Sequence, residues 1–253
     1  LGLMREGMAS ADTASQKILH SSETVRNHVT ALDQTISSLS EGLEATSVHI
    51  GDARQRVGGL VEVNEALIQR IYAMGGQNED ADYIELAQDT AFHVSGRWTA
   101  AIADGHIREN ELFSTELTPI MGSDPEQYMA PYSTFADQTI QEVLDAPLGR
   151  MERLVGSGVQ ARHGYMPTMT SNISKPLSDD PVWNAANCRN RRVWTDRVGS
   201  KSGRNTEPFL LQTYRRDMGG GTFVMMNDVS APIIINGRHW GGVRILFRPI
   251  SQT

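Results

Sequence analysis

Over the first third of the chain, apolar or small residues recur at alternating spacings of four and three. The series runs Val25, Val29, Leu32, Ile36, Leu39, Leu43, Thr46, Ile50, Ala53, Val57, Leu60, Asn64, Leu67, Ile71 and Met74. Seven heptads at a period of 3.5 predict a coiled-coil helix from about Ala14 to Tyr72, because a lone surface helix drifts toward 3.6. Ser, Thr, Gln, Glu and Arg flank the series, so the apolar seam is narrow and must be buried against another helix. The expected partner is a second copy: a parallel homodimer with a seam about 75 Å long at 1.5 Å per residue. Thr46 and Asn64 are polar seam positions, and Gly42, Gly51, Gly58 and Gly59 each weaken helix propensity by about 1 kcal/mol. Two readings stay open: a soft helix that changes register, or an Asn64 that fixes register among tolerated glycines.

Gly75–Asp80 is expected to break this helix. A second helix is predicted from about Asp82 to Asp104, with Ile84, Ala87, Ala91, Val94, Trp98 and Ala101 on one face and Asp80 or Asp82 as N-cap. A loop with Pro119, Pro125 and Pro131 leads to a third helix, about Thr134 to Leu144. From Val155 the period becomes two. Val159–Arg162, His163-Gly164 and Tyr165–Thr168 read as a hairpin with His163 exposed at its tip. Residues 169–190 read as irregular, with Trp183 as their anchor, and Arg191–Asp196 as a short strand or helix end. Phe209–Asp217 and Thr222–Asp228 read as strands joined by Gly219-Gly-Gly221. Pro232–Ile235 and Arg238–Phe247 flank Asn236-Gly237, a type I′ hairpin signal. The fold class is α+β: a long N-terminal coiled-coil helix (residues 1–76), then a domain (77–253) with a 5–6-stranded antiparallel sheet packed on helices.

Composition narrows the function. The chain has 253 residues, 39% hydrophobic and 6% aromatic, lean for one globule and in keeping with a long exposed helix. A net charge of −7 argues against nucleic acid as the main partner. A single cysteine, Cys188, excludes an internal disulfide and a cysteine-rich zinc site. No apolar run is long enough to span a membrane. The start, Leu1-Gly-Leu-Met-Arg5, has neither a signal-peptide core nor an initiator, so a piece of a longer protein is expected.

Four segments carry a resemblance. They are Arg162-His-Gly-Tyr165, Asn190-Arg-Arg-Val-Trp-Thr-Asp-Arg-Val-Gly199, the run from Pro208 through Tyr214-Arg-Arg-Asp-Met-Gly-Gly-Gly221, and Asp228 through Asn236-Gly-Arg-His-Trp-Gly-Gly-Val-Arg244. The first stands where Cache domains, the PAS-like sensors of bacterial chemoreceptors, commonly have Asn-Gly-Tyr. The last is similar to the strand, Pro, tight turn and Gly-containing strand that close a Cache sheet. With the helix before it, the chain resembles the C-terminal part of a methyl-accepting chemotaxis protein, well over residues 80–248 and loosely over 14–72. The resemblance, with the lack of a membrane-spanning run, implies a cytoplasmic sensor; the chain has no Gly-x-Ser-x-Gly, no phosphate loop and no nucleophile with an evident base, so no enzyme activity is expected. The helix lacks the Glu/Ala/Asn-rich hairpin tip that contacts the chemotaxis kinase, so kinase or adaptor contact would need regions absent from this chain. The amino-acid-binding signature of tandem Cache receptors does not align, so no ligand carries over.

Between Arg189 and Arg216, eight Lys/Arg stand against two acids, a local charge of +6 on an acidic protein. Arginine forks suit carboxylates and phosphates. The expected site holds a small polar or anionic ligand with Tyr165, Trp183, Arg192, Trp194, Tyr214 and Arg216. The bland alternative pairs these arginines with Asp179, Asp180, Asp196, Asp217 and Asp228 or leaves them in solvent. On strand 209–217, Leu210, Gln212, Tyr214 and Arg216 share the more pocket-like face, while Phe209 and Leu211 pack on helices. No cofactor and no metal site is expected. A ligand-free dimerisation module is the first rival reading, and a haem or redox sensor the second, with His93 its best axial candidate. Cys188 beside Arg189 reads as a packing residue more than a reactive thiol.

Overall fold

The computed structural model describes residues 2–75 and 79–250. The expected helix break lies partly, and the expected domain boundary at 76–77 wholly, outside the described residues. The chain divides into two compact units between Val63 and Asn64, within the first helix.

That helix, α1, runs Gly2–Ala73 without interruption, longer at its start than the heptads required. Its seam stays uncovered in the single chain: Leu39 and Leu43 are 62% and 63% exposed, and Val25, Ile36, Val57 and Leu60 are alike. In the second unit, the last turns of α1 show two faces. Leu67 and Ile71 remain exposed, whereas Glu65 is buried and Ile68 and Tyr72 pack on the domain core. At 100° per residue, positions 65, 68 and 72 lie one step round from 64, 67 and 71.

The rest of the second unit is α+β, as expected. Helix α2 (Ala81–Ala103) is followed by a single turn, α3 (Glu109–Leu112), a two-residue ribbon of β1 (Thr118–Pro119) and β2 (Tyr128–Met129), and α4 (Ser133–Asp145). Strand β3 (Leu154–Ala161) leads through β4 (Tyr165–Met166) and β5 (Thr168–Met169) to α5 (Pro181–Asn187), β6 (Arg192–Val193) and α6 (Arg197–Arg204). Strands β7 (Leu210–Asp217), β8 (Phe223–Ile235) and β9 (Arg238–Phe247) complete the chain. The main sheet has five antiparallel strands in the order β5-β3-β9-β8-β7.

All six residues expected on the inner face of α2 are buried. Asp80 is its N-cap residue but makes no side-chain cap bond, because its carboxylate meets Arg153 at 2.7 Å. Asn236 and Gly237 both take positive φ (49° and 76°), the type I′ signature, and join β8 to β9. The segment after β3 differs from the expected simple hairpin. Tyr165 and Met166 pair with Val193 and Arg192, while Gly158 and Val159 pair with Met169 and Thr168. The chain leaves β3, visits a second small ribbon and returns. His163 is half-buried and stacks on Tyr165, rather than standing in solvent. Between 169 and 190, Asn184 is the anchor, not Trp183: its buried amide bonds Asp124 and Ser178 carbonyls, whereas Trp183 is 40% exposed.

The two sheet faces divide by parity. Val159, Leu211, Val229, Ala231, Ile233, Val243, Ile245 and Phe247 form the apolar core with α2 and α4, around Trp98, which meets Trp240 edge-on at 4.8 Å. The opposite face carries Gln160, Gln212, Tyr214, Met226, Asp228, Arg244 and Leu246. The register sets Tyr214 across from Met226 and Gln212 across from Asp228. α6 and the chain before it cover this polar face, and the candidate site lies there.

Candidate functional site

A cavity of about 370 Å³ opens between the polar sheet face, β6, α5 and α6. That volume suits a small metabolite. Five arginines (Arg189, Arg192, Arg197, Arg215, Arg244) and two aspartates (Asp196, Asp217) line it, with Met166, Met169, Leu246, Trp194 and Tyr214 as apolar and aromatic wall.

Trp194 is the central wall, and its placement is local. The Trp194 amide donates to the Gly164 carbonyl at 2.9 Å. A Cβ on Gly164 (φ +98°) or Gly199 would sit 2.7 or 2.6 Å from the Trp194 carbonyl, so only glycine lets these segments close on it. Asp196 then caps α6, accepting from the Gly199 amide at 2.8 Å. Both Arg189 and Arg192 stack on the indole, with guanidinium carbons 4.5 and 4.3 Å from its centre.

The floor is a satisfied polar network. Arg244 Nε donates to Asp228 Oδ2 at 2.8 Å and Nη1 to Gln160 Oε1 at 2.9 Å. Gln160 Nε2 in turn donates to the Gly199 and Trp194 carbonyls at 3.0 and 3.3 Å. Asp228 thus neutralises Arg244, whereas the buried Arg189 and Arg216 have no carboxylate partner among the described residues. Among the described residues Arg189 donates only to backbone carbonyls, Ala185 at 2.8 Å and Asp217 at 3.1 Å. Burial, then the charges of Arg216, Arg192 and Arg244, push its pKa down to about 9, still protonated at neutral pH. Burial also lowers the Arg192 pKa. Arg192 Nη1 and Trp194 Nε1 are buried without a hydrogen-bond partner among the described residues. Two guanidinium groups stacked on one indole, with unfilled donors on Arg192 and Trp194, match the chemistry of an anion's oxygens.

The same wall touches α1. Arg197, on the cavity rim, donates from Nη1 to both Glu65 carboxylate oxygens at 3.0 and 3.1 Å, and Lys201 reaches the same carboxylate at 3.7 Å. Gln69 bonds the Phe209 carbonyl at 2.9 Å, and Tyr72 meets the Phe209 ring edge-on at 4.9 Å.

Of the six expected residues, Arg192, Trp194 and Tyr214 line the cavity. Tyr165 does not: it is buried, its hydroxyl shared with Ser133 Oγ at 2.6 Å and donating to the Tyr128 carbonyl at 2.8 Å. Trp183 lies on α5 away from the lining. Arg216 shares the face of Tyr214 but is buried behind it, bonded to the Ala186 carbonyl at 3.1 Å, and lines a separate groove. Of the acids of the bland alternative, Asp180 and Asp196 cap helices and Asp228 holds Arg244, whereas Asp217 lines the cavity and its charge acts on Arg192. Sequence reasoning missed Arg244, Met166, Met169 and Leu246. Their signal was strand parity, usable only once pairing is known. Burial raises the Cys188 pKa and its thiol faces the Pro176 carbonyl, a packing role. His93 is exposed on α2. No helix among the described residues is long and apolar enough to cross a membrane. No protein-family model matches the chain, and no curated protein matches it.

Proposed function

We propose that this chain is the sensing and dimerising part of a signalling protein similar to a cytoplasmic chemoreceptor with a Cache-like domain. The cavity beside Trp194 takes a small polar or anionic ligand, and the α1 seam pairs with a second copy. The observation that carries the reading is the pair Arg189, buried, and Arg192, half-buried, both stacked on Trp194 and neither ion-paired with a carboxylate among the described residues. An anion entering there supplies the charge that the fold withholds. Arg197 gives the change a route out, since it borders the cavity and also holds Glu65 of α1. A ligand that draws Arg197 inward weakens its hold on Glu65. Ligand then binds the released arrangement more tightly than the docked one, which any signal requires.

Native mass spectrometry of freshly purified protein tests the two halves together. The expected result is a dimer carrying a small anion, with Trp194→Ala losing the anion and keeping the dimer. Retention of the same anion by Trp194→Ala would refute the site. A monomer would refute the pairing.

A ligand-free interaction module is favoured by one observation. Arg189 already bonds two backbone carbonyls, so part of the receptor satisfies itself. Thermal-shift silence across a broad library of metabolite anions would support that reading.

A further inference from the structure

A second cavity, of about 790 Å³, lies at the other end of the β3–β9 ladder. It goes beyond the site above and does not depend on it. The Arg162 amide donates to the Trp240 carbonyl at 3.1 Å, one step past the last pair, Ala161 with Gly241. That step brings the turn after β3 against the start of β9, and gathers Arg162, His163, Arg238 and His239 at one end of the sheet. Tyr132, the N-cap residue of α4, and Arg204, at the end of α6, join them, and no Asp or Glu is among the lining residues.

Three polar atoms of this lining are buried without a hydrogen-bond partner among the described residues: His163 Nε2, His239 Nε2 and Tyr132 Oη. A buried orphan of this kind destabilises a fold, and three around one cavity point to a missing partner. Burial holds both imidazoles below their usual pKa, and the charge of Arg162 adds to this at His239. Both rings are therefore neutral at pH 7. Backbone bonds to Gly241 and Asn205 favour the protonated His239 ring. Such bonds go from ring N–H to carbonyl and leave a lone pair on the other nitrogen.

Two neutral histidines invite a divalent metal, but the arginines oppose it. Arg162 and Arg204 are exposed and have no ion-pair partner among the described residues. Arg238 already pairs with Glu109 and stacks on Phe113 at 4.1 Å, so it serves as wall. Unpaired guanidinium forks match phosphate oxygens. Neutral ring nitrogens and a phenol match hydroxyls, which both donate and accept. The cavity is also too large for inorganic phosphate alone. We propose that it is a second binding site, for a small hydroxylated phosphate monoester of the sugar-phosphate class. The phosphate lies between Arg162 and Arg204, and the hydroxyls meet His163, His239 and Tyr132 once small side-chain rotations open these solvent-shielded atoms to the cavity.

Isothermal titration of the whole chain with glucose 6-phosphate and ribose 5-phosphate tests this. Glucose, inorganic phosphate and succinate serve as comparison ligands. One site per chain is expected for at least one sugar phosphate, at least tenfold tighter than any comparison ligand. The exposed double variant Arg162→Ala/Arg204→Ala should weaken it tenfold or more, and Tyr132→Phe about threefold or more. Trp194→Ala should leave it unchanged, which separates this site from the first cavity. No binding of either sugar phosphate, undiminished binding by the double variant, comparable binding of succinate or inorganic phosphate, or loss in Trp194→Ala would each overturn the proposal.

Discussion

Glu65→Gln probes the link between the cavity wall and α1 most directly. The substitution keeps the shape of the side chain and removes its charge. Glu65 is 8% exposed, and its partners Arg197 and Lys201 are both 37% exposed. At 3.0, 3.1 and 3.7 Å the gross attraction is several kcal/mol for an effective dielectric near 20. Desolvation of the carboxylate offsets much of this, and the two cations stay partly hydrated. Breaking a fully buried pair costs about 3–5 kcal/mol and an exposed one ~0–1 kcal/mol, so this half-buried contact falls at about 1–2 kcal/mol. An energy of 1.4 kcal/mol is about a factor of ten in an opening equilibrium. Hydrogen exchange on residues 64–73 should therefore speed up about tenfold in Glu65→Gln. Amides of α2 and β9, which open only with the whole domain, should change much less. The reasoning fails if residues 64–73 exchange as before. It fails equally if protection falls uniformly across the domain, since the contact would then support the fold at large and not the docking of α1.

Leu39→Glu with Leu43→Glu places charge on seam positions that are solvent-exposed in the single chain, so each chain should fold normally while the dimer is lost. Light scattering after size exclusion reads this, and an unchanged dimeric mass would refute the seam. Gly237→Ala forces a side chain onto a residue at φ +76°, which should cost about 1 kcal/mol and lower Tm by about 2–4 °C. An unchanged melting curve would show that the hairpin relaxes. His163 and His239 have folded pKa values held below the usual 6.5 by burial. Below 6.5 the unfolded chain takes up protons that the folded chain refuses. Their contribution is thus complete above about pH 6.5 and is lost as pH falls toward the lowered folded values. Urea midpoints between pH 7.5 and 5.5 should fall with pH, and His163→Asn/His239→Asn should flatten the slope. An equal slope in both proteins would assign it to other groups.

The sequence by itself determined the elements whose signal is periodic or tied to backbone conformation. Heptad spacing fixed α1, because a 3.5 repeat is a property of neighbours along one helix. The six apolar residues of α2 marked its buried face for the same reason, and Asn236-Gly237 required a turn that only a few residue pairs adopt. Part of the site was legible too. The excess of arginine near Trp194 stood out because an apolar core has no need of it, and Arg192, Trp194 and Tyr214 do meet at one cavity. What the tertiary structure decided was pairing. Tyr165 looked like a pocket aromatic until its hydroxyl closed on Ser133 and Tyr128. Arg216 looked like a ligand contact until α5 covered it. Arg244 and Leu246 entered the cavity only because β9 lies at the centre of the sheet, a position set by strand order. That order turns on β3 pairing with β9 across 80 to 93 residues of chain, and such contacts leave no local period for a sequence to display.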